Sequence, residues 1–401
     1  MRRSPLLIIF FTVFIDLVGF GILLPLLPYY AETYGASSLM VGLLSTSYSL
    51  MQFLFTPIWG RLSDRFGRRP LILLSLFGSC VGFLVFGLGR SLPVLFIARM
   101  IAGVAGAIIP TTNAYIADVT TPENRAKGMG LVGAAFGLGF VLGPAIGGAL
   151  SPYGYDKPAL FASAMAGMNL IFAYFCLPES LTPDVQRRAQ SRRMDLNNLL
   201  EVLRHPHIGL LLVMFFVVTF AFSNMEATFG LLNEHQYGLD ARHTGYLFTF
   251  IGVLMSIMQG ALVGRFVKRF GEKACVSMGT FSMIFGLALM PYAPGMPAYC
   301  AIVALLAFGT GLNSPSINAL LSRYSAADEQ GGIMGIAQSI GSLARILGPI
   351  WGGFTFGTLG VPFPFLTGGA FMSLAFLLSL RNLWKTDPAG VRAGVTSGGT
   401  H

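Results

Sequence analysis

The sequence predicts an all-α membrane protein: twelve transmembrane helices in two pseudo-symmetric six-helix bundles. The first observation is compositional. The 401 residues are 54% apolar and 11% charged, with a mean hydropathy of +0.68, far from the balance of a water-soluble domain. The second is periodic: the apolar residues fall into runs of roughly 20, the length that crosses a ~30 Å hydrocarbon core as helix. A membrane β-barrel would show alternating strands of about 10 residues instead. The third is an internal repeat, described below.

Taken in order, the spans lie at about 6–30, 40–60, 70–90, 93–117, 128–150 and 158–178, each of the roughly 20 residues a crossing needs. The second set lies at about 208–232, 243–264, 274–293, 297–321, 332–354 and 363–381, by the same criterion. The start "MRRSPLLIIFF" has the basic-then-apolar look of a signal peptide, but the run continues through a full span without a clear small-residue cleavage site. It reads as a retained first helix. The organisation is therefore 1–180 as the first bundle, 181–206 as a polar basic linker, 207–385 as the second bundle and 386–401 as a disordered Gly/Ser/Thr-rich tail.

The net charge of +9 raises the question of nucleic acid, and the positions of the basic residues answer it. When loops are assigned alternately to two sides, Arg90, Lys157 and Arg242 fall on one side and Arg99 and Arg345 inside spans; the rest of the 26 Lys and Arg lie on the other. The positive-inside rule makes that side, both termini included, cytoplasmic. The basic charge reflects topology, and no nucleic-acid partner is expected. Cys80, Cys176, Cys275 and Cys300 sit within apolar spans and show no disulfide or zinc spacing, while His205 and His207 are linker residues without further ligands. No metal or cofactor is expected.

The repeat is carried by three matches. "GRLSDRFGRRP" from Gly60 is echoed by "GRFVKRFGEKA" from Gly264, at an offset of 204. "LGPAIGG" around Pro144 is echoed by "LGPIWGG" around Pro349, and Pro110 and Asn113 by Pro315 and Asn318, all at 205. Two parallel six-helix halves form the architecture of a rocking transporter whose site lies between the halves near the midplane. In the loop after the second span, Gly60, Asp64, Arg65, Gly67, Arg68 and Arg69 read as a cytoplasmic latch, its carboxylate favoured at a helix N-terminus and its cations at helix ends or carboxylates such as Asp118. The plainer reading is a topogenic basic loop.

These motifs together resemble the major facilitator superfamily. "GRLSDRFGRRP" is similar to its signature loop, "RMIAGVAGA" (Arg99–Ala107) to its fourth-helix signature and "GLVGAAFGLGFVLGPAIGG" (Gly130–Gly148) to its antiporter signature. "DLVGFGILLPLLP" (Asp16–Pro28) resembles the first helix of the drug:proton antiporters, closest to the tetracycline exporters. The resemblance implies a transporter, not an enzyme, driven by the proton gradient without a cofactor. Its partners would be the lipid bilayer, protons and a small molecule, and it would work as a monomer in the cytoplasmic membrane. Gly139, Gly143, Pro144, Gly147 and Gly148 correspond to the antiporter motif.

Four charges lie within spans: Asp16, Arg99, Glu226 and Arg345. An ionised side chain at the bilayer centre costs roughly 2.5–3.5 kcal/mol on insertion scales, so each needs a partner or a task. For Asp16 and Glu226 the task is taking a proton from one side and releasing it to the other; the alternative for each is a packing role only. Arg99 resembles the proton-coupling arginine of the family, with Asp16 or Asp118 as its partner. Arg345 pairs with Glu226, meets an anionic ligand, or locks its helix to a neighbour. Gln52 and Asn113 are candidates for hydrogen-bonding cavity walls, and Phe222, Met225 and Phe229 for an adaptable apolar wall. Gly133 and Gly137 extend the small-residue ridge of the fifth span, which lets backbones approach closely.

The sequence departs from the tetracycline exporters where Gly82, Met283 and Met255 replace two acids and a histidine, which puts tetracycline itself in doubt as cargo. The reading is a proton-coupled exporter of small amphipathic, drug-like compounds working by alternating access. The alternative is a symporter or facilitator for a specific metabolite. A receptor or membrane enzyme lacks a sensory domain, nucleophile motif or metal cluster.

Overall fold

The computed structural model describes residues 5–181, 206–325 and 330–383; most of the linker and the whole tail lie outside the described residues. There the chain is helical, with no strand among the described residues. The first half holds α1 (Pro5–Leu23), α2 (Leu27–Glu32), α3 (Ser38–Phe66), α4 (Arg68–Leu88), α5 (Leu92–Gly106), α6 (Ile109–Val119), α7 (Pro122–Leu150) and α8 (Asp156–Cys176). The second holds α9 (Pro206–Tyr237), α10 (Ala241–Ile257), α11 (Val263–Ala288), α12 (Met296–Tyr324), α13 (Gln330–Leu359) and α14 (Phe363–Leu378).

Among the described residues, eleven helical stretches are long and apolar enough to cross a bilayer. One of them, Ala241–Ala288, contains both α10 and α11. Gly271, at φ 80° and ψ 159°, breaks it, so it supplies two of the twelve expected spans. The junction of α10 and α11 is a π-helical segment, Met258–Leu262.

Local chemistry sets the helix ends. Ser37 caps α3 by accepting from the Met40 amide, as N-cap serines do. Proline stands in the first turn of α5, α6, α7, α12 and α14, where a missing N–H costs nothing. The fourth span is different, being split between α5 and α6 at Ala107 and Ile108. Pro110 has no N–H to offer the Gly106 carbonyl one turn back. Three successive carbonyls at the break accept from side chains: Trp59 Nε1 donates to Val104 (2.6 Å), Ser75 Oγ to Ala105 (2.8 Å) and Gln52 Nε2 to Gly106 (3.0 Å).

The chain forms two compact units that do not coincide with the sequence halves. The first is Met1–Arg193 with Glu226–Val253 and Pro349–Val361; the second is Met194–Met225, Leu254–Gly348 and Pro362–His401. Parts of α9, α10 and α13 thus belong with the first six spans. Glycine makes this possible. A Cβ on Gly245 would stand 2.7 Å from Gly148 Cα, and one on Gly252 2.7 Å from the Phe140 carbonyl. Gly42 and Gly353 seat α3 and α13 backbones against each other in the same way. Tyr29 adds hydrogen bonds to Thr244 (2.7 Å) and the Leu239 carbonyl (3.0 Å).

Within the second unit α11 packs on both α12 and α14. Gly279 and Gly309 face each other there, a Cβ on Gly309 falling 2.6 Å from the Gly279 carbonyl. The four cysteines are free thiols.

Candidate functional site

The membrane-embedded charges are held in separate settings. Asp16, on α1, borders a cavity of about 20 Å³ lined by Thr12, Ser75, Leu76, Ile108 and Thr112 among others, space for about one water. Ser79 hydrogen-bonds its carboxyl group, while Oδ1 has no hydrogen-bond partner among the described residues. The break between α5 and α6 forms part of this cavity wall, since Ile108 and Ile109 belong to both.

Arg99, on α5, is 4% exposed. Its guanidinium lies over the Tyr48 ring, 4.6 Å from the centroid, a cation–π arrangement that is worth most when desolvated. Glu226 is the acidic group whose field reaches it. The sequence left Asp16 or Asp118 as the partner of Arg99; the structure sets the Tyr48 ring against it. Asp118 is occupied elsewhere. Tyr48 precedes Gln52 by one helical turn, so both face α5, a spacing that was available in the sequence. Arg345 donates to Ser342 Oγ at 3.2 Å and belongs to the second unit, whereas Glu226 belongs to the first.

Of the residues considered for a cavity wall, Gln52 supports the helix break. Asn113 and Phe222 are half-buried. Met225 and Phe229 are fully buried, and Phe229 packs edge-on against Phe248 with centroids 5.0 Å apart. These last two are placed as core.

At the loop between α3 and α4 Arg68, 5% exposed, reaches Asp64 (2.5 Å) and Asp118 (3.3 Å) and donates to Ser63 Oγ at 2.6 Å. Gly67 turns the chain at φ 106°, and a Cβ there would meet Glu179 Oε2 at 2.5 Å. Glu179, absent from the sequence reading, accepts from the Arg68 and Arg69 amides at 2.9 and 3.1 Å. It also accepts from the Ser180 and Leu181 amides, and Ser180 Oγ donates to Asp118 at 3.0 Å. Arg69 is tied to the Tyr174 carbonyl, Arg65 lies over Phe66, and a Cβ on Gly60 would meet nothing within 4 Å. No spacing signals Glu179, because the Arg68 and Arg69 amides it holds are more than a hundred residues away.

The fifth-span glycines divide between two neighbours. Gly139, Gly143 and Gly147 seat α7 on α1, at Leu17, Gly21 and Ile22. Gly148 and the Pro144 carbonyl meet α10 at Gly245.

The family profile described as the Major Facilitator Superfamily matches residues 9–295 and 235–398 of this chain. The chain belongs to the major facilitator superfamily. Among its relatives in that superfamily, Multidrug resistance protein 2 of Bacillus subtilis (strain 168) is 30% identical, over 96% of each chain. Tetracycline resistance protein, class C, of Escherichia coli is 34% identical over 87% of this chain and 88% of its own. The crystal structure of the human organic anion transporter MFSD10 (TETRAN) superposes with a TM-score of 0.71 at 27% identity, covering 94% of this chain and 99% of that one. A major facilitator of this type is a multi-pass membrane transporter, the class the repeat and the spans predicted.

Proposed function

We propose that this transporter is a proton-coupled antiporter. It exports small amphipathic, drug-like compounds across the cytoplasmic membrane by alternating access, as a monomer with both termini in the cytoplasm. The observation that carries the reading is Arg99, buried in α5 with the Tyr48 ring on it and Glu226 as the acidic charge acting on it. Protonation of Glu226 would remove the negative field that reaches Arg99, so loading a proton shifts which arrangement of α5 and α9 is favoured. Asp16, on its own cavity, supplies a second proton site. The membrane potential drives such a step with about 2.3 kcal/mol per charge per 100 mV. Similarity to multidrug and tetracycline resistance proteins supports export of amphipathic compounds.

A second reading, a symporter or facilitator for a specific metabolite, is favoured by Arg345. Gln338, Ser342 and Arg345 recur at helical spacing on one face of α13, a polar stripe suited to an anion, and the MFSD10 relative is an organic anion transporter. Energised inside-out vesicles with a lumenal pH dye separate the two. Under the antiport reading, tetracycline or a lipophilic cation releases lumenal protons and Asp16→Asn abolishes the release. Anion accumulation without proton release moves the assignment to the second reading.

A further inference from the structure

The two cytoplasmic loops share a frame and differ in sign. Gly60-Arg61 and Arg65-Phe66-Gly67 recur as Gly264-Arg265 and Arg269-Phe270-Gly271, at an offset of 204. The frame holds in three dimensions. Gly67 and Gly271 both have positive φ, 106° and 80°, a region that glycine enters without strain. Arg65 and Arg269 each lie over the phenylalanine that follows, at 5.2 and 5.4 Å.

Inside that frame three ionic positions are exchanged. Asp64 is matched by Lys268, Arg68 by Glu272 and, at the 205 offset of the fourth and tenth spans, Asp118 by Arg323. In the first half Arg68 at the start of α4 is bound to Asp118 at the end of α6. In the second, Arg323 Nη1 at the end of α12 donates to both carboxylate oxygens of Glu272 at 2.8 Å. The same two places in the repeat are joined by an ion pair of opposite polarity.

We propose that Glu272–Arg323 is the second-half counterpart of the Arg68–Asp118 clamp, an ion pair that holds the start of its loop to the end of α12 with the two charges exchanged. The inference rests on the repeat and the two ion pairs, and stands apart from the question of proton coupling.

Hydrogen–deuterium exchange on the purified full-length chain in detergent micelles tests it without any cargo. E272R sets an arginine against Arg323 and is expected to speed exchange of amides 265–274 roughly ten-fold, as loss of a charge-assisted contact does. Adding R323E should return exchange to the parental rate; adding R68E should not. Unchanged exchange in E272R, or rescue by R68E in place of R323E, overturns the assignment. Should E272R fail to fold, E272Q, R323Q and the double variant give the same information. A shared clamp makes the double variant no faster than either single one, and independent additive effects would reject it.

Discussion

Glu179 shows how one side chain can organise a loop from far away in sequence. Its two oxygens accept four backbone amides, two of them at the start of α4, where the N–H groups of a first turn otherwise lack partners. Glu179→Ala should lower stability by roughly 0.5–2 kcal/mol, the range for loss of a helix cap. Thermal unfolding in detergent would measure it, and Glu179→Gln, which keeps one acceptor oxygen, should lose less. A melt unchanged by either substitution would show that water replaces the carboxylate at no cost. Asp16 is the opposite case: a carboxylate legible from its place in an apolar run, whose Ser79 contact comes from another helix. Hydropathy marks a charge as unusual, but the fold chooses its neighbours.

At the scale of elements, the broken fourth span and the glycine seams carry the consequences. Gln52→Leu removes the donor to the Gly106 carbonyl in a place where Pro110 already denies it a backbone partner. The orphaned group should cost about 1–3 kcal/mol, seen as a lower melting temperature. Ala substitution at Asn113, which supports no such carbonyl in the described structure, should have the smaller effect. Gly148 sits where α7 meets α10, and a Cβ there would lie 2.9 Å from the Arg242 carbonyl and 3.1 Å from Gly245 Cα. Gly148→Val should therefore separate these helices at about 1–3 kcal/mol, the usual cost of overpacking, and reduce vesicle transport. Gly133→Ala, with nothing within 4 Å of its Cβ, should leave both stability and transport near parental values. The Gly-Pro ending of the fifth span was visible as a close-packing motif; that its last glycine serves α10 while the earlier ones serve α1 was not.

For the whole molecule, the first compact unit gathers parts of spans from both sequence halves, and one contact within it should respond to pH. Glu32 of α2 faces Glu234 and His235 of α9, the three polar groups lying within 4.8 Å of one another, with His235 Nε2 3.8 Å from Glu32 Oε1. Burial, then the hydrogen bond and charge of Glu234, push the Glu32 carboxyl up from 4.5 to about 8. Because the folded value lies above the unfolded one, this contact stabilises fully below pH 4.5 and its contribution is lost as pH rises through 8. Melting temperature should fall across that window, and Glu32→Gln should flatten the profile; a parental profile already flat would show that the pair shares no proton. The sequence by itself determined the twelve spans, the two-fold repeat and which charges are embedded in the membrane, because bilayer insertion is governed by the apolar content of each segment, a property read locally along the chain. Only the tertiary structure decided that Arg99 meets Tyr48, that Gln52 and Glu179 hold backbone groups, that Met225 and Phe229 are core, and that parts of α9, α10 and α13 join the first unit. Those outcomes depend on close approach between helices distant in sequence, where small residues admit a neighbour and each buried polar atom takes whichever partner the packing brings within reach.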